Sequence, residues 1–69
     1  MTNKSYYTLC IWDVEQGAWF DEFGDYSRDD VRAEFDDHSA PGRHKRIIKH
    51  DGSTADMIAK RDTLASPKG

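Results

Sequence analysis

The sequence predicts an α+β domain of element order β-β-α-β-α, with a three-stranded antiparallel sheet of order 2-1-3 and helices packed on one face. Three observations predict it. Two aromatic and β-branched runs flank a glycine-bearing interruption, Glu15-Gln16-Gly17. Two serines, Ser27 and Ser53, stand where helix N-caps belong, with Asp30 and Asp56 three residues on. Between the two helices a third β-branched segment sits in a basic frame and ends at Asp51-Gly52.

Residues 5–14, Ser-Tyr-Tyr-Thr-Leu-Cys-Ile-Trp-Asp-Val, are apolar on both alternating faces, as a central strand is. A two-residue period puts Tyr7, Leu9 and Ile11 on one face and Tyr6, Thr8, Cys10 and Trp12 on the other. One face meets a helix; the other is expected to stay partly open, exposing Tyr6 and Trp12. Gly17 supplies the left-handed residue of a hairpin loop. Residues 18–23 make the second strand, with Trp19, Asp21 and Phe23 on one side and Phe20 and Glu22 on the other, and Gly24 ends it or bulges it.

Ser27 then caps the first helix, and Tyr26 and Val31 occupy the positions of a hydrophobic staple. Asp29 and Asp30 complement the positive end of the helix dipole. Val31, Phe35 and His38 share a narrow inner face before Pro41-Gly42 stops the helix. Residues 43–51 form the third strand, at a sheet edge. Met57, Ile58, Leu64 and Ala65 give the second helix an apolar stripe interrupted by Arg61. Because the helix crosses over between the second and third strands, those two run parallel, and placing the first strand between them makes every pairing antiparallel.

Sixty-nine residues make one small domain, expected over residues 1–65 with a frayed tail at 66–69. A lone cysteine, Cys10, excludes a disulfide within the chain and reads as a reduced core residue. The polar first residues and the absence of a long apolar run predict a soluble, cytoplasmic protein that neither enters nor crosses a membrane. Net charge is −3, and its distribution is uneven. Residues 1–40 hold ten acids against three Lys and Arg, and residues 41–69 three acids against seven. Such asymmetry points to a charged partner.

Two surfaces carry the functional expectation. The acidic set Asp21, Glu22, Asp25, Asp29, Glu34, Asp36 and Asp37, joined by the aromatics Tyr6 and Trp12, suits a basic surface on another protein. The plainer account is a solvated helix face that complements its own dipole. The alternative surface, Arg43, Lys45, Arg46 and Lys49, suits phosphates, although an acidic chain weighs against nucleic acid and lysines also guard edge strands. Histidines 38, 44 and 50, with Asp36, Asp37 and Asp51 nearby, match no ligand spacing, so neither metal nor cofactor is expected. Cys10 lies in an apolar strand without the positive surroundings of a nucleophile, and the chain is not expected to be an enzyme.

The strand start Tyr6-Tyr7-Thr8-Leu9, the Trp19 after a glycine turn, and Phe23-Gly24-Asp25-Tyr26 before a capped acidic helix resemble small accessory proteins of tailed phages and prophages. The resemblance covers residues 5–38 and implies a phage accessory protein, a group that includes anti-CRISPRs and other inhibitors of host machinery. It carries no functional site over to this chain. The function expected is therefore non-enzymatic binding that inhibits or modulates a host protein or nucleoprotein complex in the host cytoplasm. Homodimerisation through an open sheet face or edge is compatible with it.

Overall fold

In the computed structural model, which describes residues 5–67, β1 (Tyr6–Asp13) lies at the centre of a three-stranded sheet. Its antiparallel neighbours are β2 (Ala18–Asp25) and β3 (Lys45–His50), giving the order β2-β1-β3. The β1-β2 hairpin closes where the Gly17 N–H donates to the Asp13 carbonyl at 2.8 Å, and Gly17 adopts φ 64°. Asp13 Oδ1 also accepts from the amides of Glu15 and Gln16, so the turn is built by its own first residue.

β2 runs two residues beyond its expected end because a bulge, not a stop, lies near Gly24. Pairing slips between Leu9 and Cys10, which face Phe23 and Asp21 respectively, and Glu22 is the extra residue. The slip moves Phe23 onto the face of Leu9 and Phe20, whereas strict alternation puts it with Trp19. Beyond the bulge Gly24 passes under Tyr6, and a Cβ there would lie 2.6 Å from the Tyr6 ring. The third strand starts later than residue 43, since Gly42–His44 form a 3-10 turn before it.

The helix α1 (Arg28–Asp37) is capped by Ser27, whose Oγ accepts from the Asp30 amide at 3.2 Å. The helix α2 (Thr54–Asp62) is capped in the same way by Ser53, which accepts from the Asp56 amide at 3.1 Å. The staple at Tyr26 does not form: its ring packs edge-on to Tyr6, with centroids 4.8 Å apart, on the opposite side of the sheet from Val31.

The helices do not share a face of the sheet. Met57 and Leu64 of the α2 region pack on Cys10, Trp19 and Ile48, and Trp19 Nε1 donates to the Ala65 carbonyl. On the other face α1 lies against all three strands, and Leu9 and Val31 are buried there. The molecule is thus three layers, α1, sheet and α2. The physical reason lies in β1, which is apolar on both faces and needs a cover on each. Among the described residues no helix is long and apolar enough to cross a membrane. Residues 1–4 and 68–69, parts of the expected domain and tail, lie outside the described residues.

Candidate functional site

The acidic residues fall into two groups that the chain order does not reveal. Those of α1 lie on its outer side, because Val31, Phe35 and His38 turn inward; Asp29, Glu34, Asp36 and Asp37 are all exposed. Asp36 forms an ion pair with Arg32 one turn earlier at 3.4 Å, a surface pair of small energetic weight. Asp21 belongs to the opposite layer, where its carboxylate meets Arg61 of α2 at 3.5 Å. Asp25 acts locally, since its Oδ1 accepts from the Ser27 amide at 2.7 Å and shapes the entry to α1. Glu22, thrown outward by the bulge, stands 3.9 Å from His38 at the end of α1.

The last turn of α1 is electrostatically unusual. Helix C-termini favour cations, yet this one carries Asp36 and Asp37 and no basic residue. The missing cation comes from the next strand. Lys45 is buried, its Nζ donates to the carbonyls of Phe35 at 2.6 Å and His38 at 3.1 Å, and it lies over the Phe35 ring. Lys45 therefore belongs to the core and drops out of the basic surface. Arg43, Arg46 and Lys49 remain exposed, with Arg46 reaching back to the Lys45 and Gly42 carbonyls and over the Trp19 ring.

The two aromatics expected at the surface are partly buried. α2 covers their face: Trp12 packs against Trp19 with centroids 5.4 Å apart, and Tyr6 sits between Tyr26 and His50. The exposed apolar residues are instead Val14 and Phe20, at 69% and 46% exposure, with Tyr26 and Ile58 elsewhere. The signal for Phe20 was its position opposite Ile11 on the α1 side, combined with a helix too short to reach the hairpin end.

Beneath the α2 face lies a buried polar pair. The Gly52 amide donates to His50 Nδ1, so the ring proton is on Nε2, which donates to Thr8 Oγ1 at 2.7 Å. Among the described residues one group of possible metal donors comes together, His50, Asp51 and Asp56, with atoms within 4.8 Å of one another. Each is engaged at the α2 cap: Asp51 Oδ1 accepts from the Ser53 amide, and Asp56 accepts from the Asp51 amide and Lys60. The Ser53 hydrogen bonds hold the Asp51 carboxyl below its ordinary value, and Lys60 does the same for Asp56. His38 and His44 lie apart from this group. Burial pushes the Cys10 thiol from 9.0 up to about 11, against a smaller opposing pull from Arg61, so it is a poor nucleophile near neutral pH.

Fold and surface together define a small α+β domain that presents exposed carboxylates, exposed cations and a few exposed apolar side chains. Compared with models of protein families, with curated proteins and with solved structures, the chain matches none.

Proposed function

We propose that the chain is a non-enzymatic binding protein that occupies a basic surface on a host protein or nucleoprotein complex and so inhibits or modulates it, as small phage accessory proteins of the anti-CRISPR kind do. The supporting observation is the last turn of α1. Asp36 and Asp37 oppose the helix dipole there, while the cation that local stability calls for is supplied from β3 by Lys45. Carboxylates that oppose the dipole, with only a weak surface pair between Asp36 and Arg32 in return, are best accounted for by a partner. Exposed Asp29 and Glu34 extend the same outer face and would speed association with a basic surface.

The test is affinity capture from host lysate with mass spectrometry, comparing the native chain with Asp36→Lys/Asp37→Lys. A complex recovered by the native chain and lost by the variant and at high salt supports the reading; equal recovery by both sinks it. The alternative is nucleic-acid binding through Arg46 and Lys49, which stay exposed on the edge strand, and Arg43 in the turn before it. A gel shift that weakens with salt and disappears in Arg43→Ala/Lys49→Ala would favour it over the first reading.

A further inference from the structure

The Leu9 face of the sheet is longer than the helix that covers it. Eight strand residues extend about 26 Å, whereas ten helical residues extend about 15 Å. α1 begins just after β2 ends and finishes where His38 meets Glu22. Beyond that point, toward the hairpin, Lys45 flanks a half-buried Ile11 from β3, and Phe20 and Val14 are exposed. Ile11 and Phe20 stand there as cross-strand neighbours, and with Val14 they line one shallow open groove. Adjacent exposed apolar residues differ from scattered ones: they mark a surface that something covers.

The rim indicates the occupant. The charged residues lining the groove are Asp13, Glu15 and Glu22, and none of its lining residues is basic. The end of α1 reaches this border through His38, which meets Glu22. Asp13 is committed to its turn, but Glu15 and Glu22 are exposed. An apolar floor with an acidic rim is complementary to a helix with an apolar stripe flanked by Lys and Arg.

We propose that this groove docks a basic amphipathic helix of the partner protein, with apolar side chains on Ile11, Val14 and Phe20 and cations toward Glu15 and Glu22. A helix of two turns, about 11 Å long, is sufficient to carry both the apolar and the basic contacts. The inference rests on the acidic-binding reading and assigns it a place.

The experiment is a titration of the isotopically labelled full chain, followed by amide NMR, with a synthetic Leu/Lys amphipathic helix of about fourteen residues and its Leu/Glu counterpart. The Lys peptide is expected to shift Ile11, Val14, Phe20 and Glu22, to weaken at about 0.5 M salt, and to lose about tenfold in affinity against Val14→Ser/Phe20→Ser. Both substituted residues are exposed, and circular dichroism verifies that the variant folds. The Glu peptide is expected to leave the groove unchanged. Shifts confined to Asp29, Asp30 and Glu34 overturn the groove while leaving the acidic-surface reading intact. No shift with the Lys peptide at low salt overturns both. Concentration-dependent shifts of the groove without peptide, with dimer by light scattering, assign it to a second copy and overturn the partner helix.

Discussion

Thr8 and His50 are the residues whose substitution reads most directly as energy. Both are buried, they come from strands far apart in the chain, and each satisfies the other. Thr8→Val keeps the shape but leaves the His50 Nε2–H without an acceptor, so it is expected to destabilise the fold by about 1–3 kcal/mol in urea denaturation. Lys45 makes the same point for a charge. Lys45→Met keeps the aliphatic stem on Phe35 and removes both donations to the end of α1, a loss of about 2 kcal/mol. Lys49→Met, on the same strand but exposed, is the control and should change stability by less than about 0.5 kcal/mol. Equal effects at the two lysines would contradict the buried position of Lys45.

At the scale of elements, the two helices differ in what their charges do. The first turn of α1 has Asp29 and Asp30 where the dipole favours them, and the last has Asp36 and Asp37 where it does not. Asp37→Lys is therefore expected to stabilise the protein by roughly 0.3–1 kcal/mol, read as a raised Tm, while weakening capture of the partner. A gain in stability with unchanged capture would mean that the acid at that end has no binding role. In α2 the acids are structural. Asp51 and Asp56 both have carboxyl values lowered from 3.8, Asp51 by its Ser53 hydrogen bonds and Asp56 first by Lys60 and then by the Asp51 amide. A lowered folded value means that their contribution is complete above about pH 4 and is lost as the pH falls through the folded values. The urea midpoint should thus fall on acidification below about pH 4, and Asp51→Asn/Asp56→Asn should flatten that dependence.

The whole molecule is three thin layers, and each outer layer protects one half of the core. α2 covers the face of Cys10 through Met57 and Leu64. Removing both side chains in Met57→Ala/Leu64→Ala should raise the labelling rate of the Cys10 thiol by more than about tenfold, the change that about 1.4 kcal/mol of lost protection produces. Unchanged labelling would mean that α2 does not shield that face. The same thinness leaves the Ile11, Val14 and Phe20 groove open, since one ten-residue helix cannot span eight-residue strands.

By itself the sequence determined the element order, both serine caps, the hairpin and the sheet order. These rest on local chemistry and on one connection rule: Gly17 in its turn, Ser27 and Ser53 accepting from amides three residues ahead, and a crossover that places β1 between β2 and β3. The acidic character of α1 was legible for the same reason. Tertiary structure alone decided which face each side chain serves. The bulge at Glu22 turned Phe23 over, because register is set by pairing and not by one strand's pattern. Lys45 became core because a distant helix end offered it two carbonyls, and Tyr6 and Trp12 were covered because β1, apolar on both faces, drew α2 to the face left vacant by α1. What remained exposed, Val14 and Phe20, follows from the lengths of elements packed against one another, a quantity that no single segment carries.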